Sequence, residues 1–330
     1  MGYKIASFNV KNMGYSSKKE WATIANIIDS EDFDIVALQE VLSEGKALRQ
    51  NILPKLGREW EMKWGTPNKV ATQDTDENNI GDKRGEGYAF LWRADRFRKV
   101  RTILNTEEIR IAEPHILNSL TDEIRDIDIN EFFRAPYYAR FIPCSIGSNP
   151  HIEIRLINAH LFYGSANSSD VYRRKREFDI LIKQILPELA DKRYGNFRPA
   201  YTIILGDYNF NLDRPWNRYP QSPILDKTDE IIELREGHRI KRLRTTQEGM
   251  TTLKKVTDPY AENKGREYKK SYHFKNNYDH FSYDEEYFKE HGIKVKCQKV
   301  DAIRKYCNND FDKYQAFVSD HLPVVFEMDF

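Results

Sequence analysis

Cysteine is scarce in this chain: three in 330 residues, at Cys144, Cys297 and Cys307. So few, odd in number and without metal-ligand spacing, they exclude a disulfide framework and a cysteine-built zinc site, and are expected to be buried or incidental thiols. Long apolar runs are also missing. Neither a signal peptide nor a membrane-crossing helix is expected, so the chain reads as soluble and cytoplasmic, without a membrane partner. Net charge is nearly absent, with 52 Lys and Arg against 51 Asp and Glu, so any affinity for an anionic partner has to be local. There is no internal repeat and no low-complexity linker.

What is present is enough apolar residues, 40% of the chain, to bury a large core. Short apolar or alternating runs at 5–10, 34–38, 88–92, 137–142, 152–159, 201–205, 293–297 and 322–326 are expected strands. Ser17-Lys18-Lys19-Glu20 has the form of a capping box ahead of Trp21, Ile24, Ala25 and Ile28 on one helical face. Phe178, Leu181, Ile182, Ile185 and Leu189 mark a second amphipathic helix. Strands outnumber helices and do not alternate strictly with them. The expected fold is therefore α/β (α+β), a four-layer αββα sandwich of two packed, mainly antiparallel sheets with helices outside. One domain over 1–330 is expected, with polar insertions near 68–84 and 210–277.

Chemistry-bearing side chains stand where these strands end. Ile5-Ala6-Ser7-Phe8-Asn9 ends in an amide, Leu38-Gln39-Glu40 in a carboxylate, and Leu205-Gly206-Asp207-Tyr208-Asn209 in an Asp-x-Asn pair. With a period of two, Asp207 and Asn209 would share a side, and Gly206 would permit close backbone approach. His160 follows a fourth run and His321 sits in Ser319-Asp320-His321-Leu322-Pro323, both suited to proton transfer near neutral pH. Oxygen donors such as Glu40, Asp207 and Asp320 suit a hard cation, Mg²⁺ or Mn²⁺, ahead of zinc. Taken singly, each of these residues has an ordinary reading as a solvated strand end, a cap or a structural histidine.

Taken in order, the motifs resemble the endonuclease/exonuclease/phosphatase superfamily, and within it the deoxyribonuclease-I-like branch. The resemblance runs from Ile5-Ala6-Ser7-Phe8-Asn9-Val10 through Leu38-Gln39-Glu40-Val41, Glu86-Gly87-Tyr88-Ala89-Phe90-Leu91-Trp92-Arg93 and Arg134-Ala135-Pro136. It continues with Asn158-Ala159-His160-Leu161, the Asp207 motif and Tyr278-Asp279-His280-Phe281, and closes at Ser319-Asp320-His321-Leu322-Pro323-Val324. It implies that Glu40 holds the metal, with Asp320 and Asp207 adding to a metal or water network. It also implies that Asn9, Asn209 and Arg134 contact phosphate, and that His160 and His321 form an acid/base pair oriented by Glu86 and Asp279. The direction it suggests is His321 as base and His160 as acid.

A histidine at 160, where the abasic-site endonucleases of this superfamily carry asparagine, points away from that branch. The arginine and Trp-Cys-Asp-Arg signatures of inositol polyphosphate phosphatases are missing. Leu42 stands where the pancreatic-type enzyme has its minor-groove arginine. Local charge favours nucleic acid: from 235 to 275, twelve Lys and Arg stand against five acids, with Tyr260, Tyr268 and Tyr272 interspersed. Arg173-Arg174-Lys175-Arg176 is expected to open a helix, where a bound anion would offset the unfavourable dipole. The expected activity is an Mg²⁺-dependent endonuclease, a hydrolase of phosphodiesters, with DNA ahead of RNA. The alternatives are a phosphomonoesterase of a nucleotide or inositol phosphate, and a nucleic-acid-binding module without turnover.

Overall fold

The computed structural model describes residues 2–14, 18–65, 86–99, 115–116, 132–144, 152–164, 168–192, 199–210, 232–233, 239–240, 242–246, 249–253 and 274–330. The 68–84 stretch and most of 210–277, including Lys269 and Lys270, lie outside the described residues. Fifteen strands are described: β1 (Gly2–Met13), β2 (Ile35–Val41), β3 (Trp60–Gly65), β4 (Gly87–Arg93), β5 (Phe97–Lys99), β6 (His115–Ile116), β7 (Tyr137–Pro143), β8 (Glu153–His160), β9 (Ala200–Asp207), β10 (Ile232–Glu233), β11 (Arg239–Ile240), β12 (Leu243–Thr245), β13 (Asp279–Asp284), β14 (Lys294–Lys299) and β15 (Val324–Asp329). The described helices are α1 (Trp21–Ser30), α2 (Leu53–Leu56), α3 (Ser168–Ile180), α4 (Leu186–Asp191), α5 (Glu285–Glu290), α6 (Ala302–Tyr306) and α7 (Phe311–Phe317).

Six strands form one sheet in the order β14-β15-β1-β2-β4-β3. A second sheet runs β12-β13-β9-β8-β7-β5, with β6 also on β7. Pairing is antiparallel except for one parallel pair in each sheet, β1 with β2 and β8 with β9. Both faces of these central strands are buried, so alternation along a strand decides which layer a side chain joins rather than whether it meets water. On β1, Tyr3 and Ile5 join the core between the sheets, while Ala6, Phe8 and Val10 join the outer core with Ile24, Ile27 and Ile28 of α1. On β8 and β9, Ile154, Leu156, Ile203 and Leu205 point between the sheets. Ile157, Ala159 and Ile204 point outward to Phe178, Leu181, Ile182 and Ile185 of α3 and the π-helical turn after it. The layers are therefore helix, sheet, sheet, helix.

Aromatic rings fill the gap between the sheets. Phe90 of one sheet stacks on Tyr137 of the other at 5.4 Å and meets Phe141 edge-on at 5.8 Å. Among the described residues, no helix is long and apolar enough to cross a membrane. Cys144 and Cys307 are buried and Cys297 is half-buried.

Three local expectations shift. Helix α1 starts at Trp21 with Glu20 at its N-cap, and Ser17 lies outside the described residues. The Glu20 carboxylate takes the Thr23 hydroxyl at 2.9 Å. Arg173 to Arg176 do not open a helix: α3 begins at Ser168 with Asp170 in its first turn, so the dipole argument for a bound anion there falls away. The last strand begins at Val324 rather than at 322, because Leu322 donates its N–H to Thr251 instead of to the sheet.

A buried ion cluster fixes the far end of the second sheet. Glu153 is fully buried, and its Oε1 accepts from Arg140 Nε at 2.7 Å and Arg155 Nε at 2.6 Å. Burial works to raise its carboxyl pKa, but the two guanidiniums outweigh burial and hold it below the ordinary 4.5. Glu153→Gln leaves two buried cations short of countercharge and is expected to cost about 3–5 kcal/mol at pH 7, measured by urea unfolding. A depressed native pKa gives stability that is complete above the unfolded value and lost as pH falls through the native one. The gap between wild type and variant should therefore narrow at pH 3.

Candidate active site

Along four central strands, the row facing the opposite sheet changes from apolar to polar in the same direction. It reads Tyr3, Ile5, Ser7, Asn9 on β1 and Ile35, Ala37, Gln39 on β2. On β8 it reads Ile154, Leu156, Asn158, His160, and on β9 Tyr201, Ile203, Leu205, Asp207. Parallel partners end on the same edge, so β1 with β2 and β8 with β9 deliver these polar ends to one place. One step below it, Gln39 Nε2 donates to Asn158 Oδ1 at 2.7 Å and Asn158 Nδ2 donates to the Leu38 carbonyl at 3.0 Å, tying the two sheets together.

Asp207 lies at the centre and is 2% exposed. Its Oδ2 accepts from Asn9 Nδ2 at 3.0 Å and lies 3.5 Å from His160 Nε2 and 3.7 Å from His321 Nε2; its Oδ1 accepts the Asn209 N–H at 2.9 Å. Each imidazole has a second carboxylate on its other nitrogen: Glu86 Oε1 is 2.8 Å from His160 Nδ1, and Asp279 Oδ2 is 2.9 Å from His321 Nδ1. Arg134 Nη2 donates to Glu86 Oε2 at 3.0 Å, and its buried Nη1 has no partner among the described residues. Asn9 Nδ2 also donates to Glu40 Oε1 at 2.9 Å, and Glu40 Oε2 takes the Asn12 N–H at 2.8 Å. Lys11 Nζ lies 2.7 Å from Asp320 Oδ2.

The titration behaviour follows from this packing. Burial and Arg134 pull the His160 pKa down, but Glu86 and Asp207 outweigh them and raise it. Burial also opposes the His321 cation, yet Asp279 and Asp207 push its pKa up to about 10. Glu86, despite burial, falls to about 2 beside His160 and Arg134. Asp207 is raised, because burial exceeds the pull of both histidines.

Backbone geometry presents several of these groups. Gly206 has φ 144°, and a Cβ there would sit 1.8 Å from the Ala159 carbonyl oxygen, so β8 and β9 approach as only glycine permits. Glu40 has the wrong parity to share a face with Gln39. A left-handed φ of 58°, at a register shift between β2 and β4, turns it to the cleft. Strand β9 ends at Asp207, so Asn209 is presented through a left-handed turn (φ 53°) and not by strand alternation; its Nδ2 donates to the Leu161 carbonyl at 2.9 Å. Such positions cost about 1–3 kcal/mol each for non-glycine residues and cluster at functional sites.

These residues open on a cleft of about 420 Å³, lined by Glu40, Glu86, Arg134, His160, Asp207, Asn209, Asp320 and His321 with Lys11, Asn12, Thr252, Lys275 and Asn276 among others. Asn9 and Asp279 stand directly behind it. Sequence reasoning did not single out three groups here. Thr251 Oγ1 donates to Asp279 Oδ2 at 2.6 Å, and nothing in its surroundings in the sequence marks it. Lys11 follows directly on the Asn9 motif. Glu177, in α3 beside Phe178 and four residues before Leu181 of the π-helical turn, is 1% exposed, and its two oxygens accept the Phe133 and Phe162 N–H groups at 2.7 Å each. An acid on a core stripe was the available signal.

A metal fits the donors present. Among the described residues, Glu40, Glu86 and His160 each bring a ligand atom within 4.8 Å of the others, and Asp207 and Asp320 add hard oxygens to the same cleft.

A family model described as the endonuclease/exonuclease/phosphatase family matches residues 6–321. The chain belongs to that family. A relative named deoxyribonuclease, from Thioalkalivibrio sp. (strain K90mix), is 26% identical over 210 residues; the match covers 62% of this chain and 46% of the relative, just under half its length. Among solved structures, D. rerio TDP2 complexed with single strand DNA product has a TM-score of 0.54 at 13% identity, covering 100% of this chain and 99% of that one. An endonuclease/exonuclease/phosphatase family protein from Bacteroides thetaiotaomicron has a TM-score of 0.51 at 15% identity, covering 99% and 97%. At these identities the likeness concerns the fold.

Glu177→Gln keeps one acceptor oxygen and turns an amide N–H₂ towards a backbone N–H. It is expected to lower stability by about 1–3 kcal/mol in urea. Amide exchange at Phe133 or Phe162 should accelerate, as read by hydrogen–deuterium exchange.

Proposed function

We propose that the protein is a divalent-metal-dependent nuclease that hydrolyses nucleic-acid phosphodiesters, DNA ahead of RNA, by attack of water. The observation that carries this reading is the arrangement of two carboxylate-oriented imidazoles around one oxygen of Asp207. Two acid–base groups facing one cleft are what in-line displacement at phosphorus needs: one takes the proton of the attacking water and the other protonates the leaving oxygen. Asp207 and His321, 3.7 Å apart, act as one unit sharing a proton and accept that of the water. His160, held by Glu86, donates to the leaving group. Arg134, whose side chain lines the cleft, binds a non-bridging oxygen, and Asn9 and Asn209 lock the Asp207 carboxylate in place.

Glu40, with the carboxylates of Glu86, Asp207 and Asp320 around it, would hold Mg²⁺ or Mn²⁺. When bound, such an ion supplies Lewis-acid stabilisation of charge on the phosphoryl oxygens. The deoxyribonuclease name of the curated relative and the single-strand DNA product bound to D. rerio TDP2 support nucleic acid, and DNA in particular, as the substrate.

Purified protein is expected to cleave plasmid, single-stranded DNA or RNA with Mg²⁺ and not with EDTA. His160→Ala and His321→Ala should each lower kcat by about 10²–10⁴-fold. Hydrolysis of small phosphate monoesters without cleavage of any polymer would replace the nuclease by a phosphomonoesterase. Independently of turnover, Mg²⁺ at about 100 times its Kd should stabilise the fold by about 2.7 kcal/mol in thermal melts. Glu40→Gln should lose most of that gain.

A further inference from the structure

The nuclease reading leaves one prominent feature of the cleft unused. Tyr163 is 64% exposed and forms part of the cleft wall beside His160 and Arg134. Of the four large apolar or aromatic side chains that are exposed among the described residues, the other three, Tyr172, Phe317 and Phe330, lie outside this cleft. Around it the cleft lining is mostly charged or polar.

The chain just before Tyr163 is held from several sides. The Leu161 N–H donates to the Asp207 carbonyl at 2.9 Å, and the Phe162 N–H to buried Glu177 at 2.7 Å. The Phe162 ring meets Phe133 edge-on at 5.4 Å, with Arg173 lying 4.6 Å over Phe162 and 5.3 Å over Phe133. Arg134 lies 4.9 Å over the same Phe133 ring. The phosphate-facing arginine and the segment leading into Tyr163 thus share one packed support, fixed by both oxygens of Glu177. Elsewhere the cleft offers Lys11, Asn12, Lys275 and Asn276, cations and amides suited to a sugar-phosphate backbone.

We propose that Tyr163 is a stacking platform for an unpaired nucleobase next to the scissile phosphate, which makes single-stranded nucleic acid the preferred substrate. The inference rests on the nuclease reading of this cleft. A base inside a duplex has both faces covered by its neighbours, so only an unpaired or flipped base can give a free face to the ring. Stacking on one aromatic side chain contributes about 1–3 kcal/mol per base, which corresponds to about 5- to 150-fold in affinity.

The test is binding of a single-stranded DNA oligonucleotide carrying 2-aminopurine. It is read by anisotropy and by fluorescence quenching, in the His160→Ala background with Mg²⁺ and in the unsubstituted protein with EDTA. The same oligonucleotide with abasic residues throughout, and a blunt duplex, serve as comparisons. Expected are quenching on binding, a single strand bound more tightly than either comparison, and a Kd raised 5- to 150-fold by Tyr163→Ala on the base-bearing strand only. Tyr163→Phe should retain the wild-type Kd. Equal Kd values for wild type and Tyr163→Ala, an equal loss on the abasic strand, a preference for duplex, or no binding of any strand would each overturn the proposal. Failure of the nuclease reading looks different: base-dependent binding persists, but wild type with Mg²⁺ cleaves no strand.

Discussion

The site depends on holding the Asp207 carboxyl group inside the protein, where burial works against its charged form. A buried carboxylate loses hydration worth several kcal/mol and has to be repaid by donors held in place. Here they come from separate parts of the chain: Asn9 from the first sheet, Asn209 from the turn after β9, and two imidazoles at 3.5 and 3.7 Å. His160 is the neighbour of Asp207 within the same sheet and Asn209 lies two residues on, but Asn9 and His321 reach it only because the two sheets pack with their polar strand ends on the same edge. The aromatic layer between the sheets and the Gln39–Asn158 bond set that alignment, so packing far from the cleft fixes distances within it.

Much of this was legible because it obeys a period of two. The inner rows of β1, β8 and β9 can be read directly as apolar positions ending in Asn9, His160 and Asp207. The four-layer arrangement follows from strands that are apolar on both faces between amphipathic helices. What breaks the period was less legible. Glu40 reaches the cleft only because its φ is 58°, and Asn209 because its φ is 53°. No local pattern specifies a left-handed non-glycine residue when the surrounding fold, rather than its own propensity, imposes the conformation. Thr251 was invisible for another reason: its role comes from a contact to Asp279 made through tertiary packing, within a stretch whose composition reads as loop.

The helix carrying Glu177 shows how a surface reading can mislead. Arg173, Arg174, Lys175 and Arg176 look like a solvated basic run, yet Arg174 and Glu177 are buried, and Arg173 lies over two phenylalanine rings. Arg173 and Arg174 brace the segment that follows His160, while Arg176 is exposed. Cations on aromatic faces give up little hydration there and stiffen the rings they cover.

Charge bookkeeping in the cleft gives a reason for a cation that does not depend on family membership. Glu40, Glu86, Asp207, Asp279 and Asp320 are five carboxylates in or directly behind it. With both imidazoles protonated, His160, His321, Arg134, Lys11 and Lys275 supply five positive charges among the described residues, which just balance them. A phosphodiester entering this cleft adds another negative charge, and displacement concentrates more on its non-bridging oxygens. Arg134 and Lys11 are already paired with Glu86 and Asp320, so the described side chains leave that added charge poorly balanced. A divalent ion beside Glu40 would offset that added charge where the hard oxygens already converge.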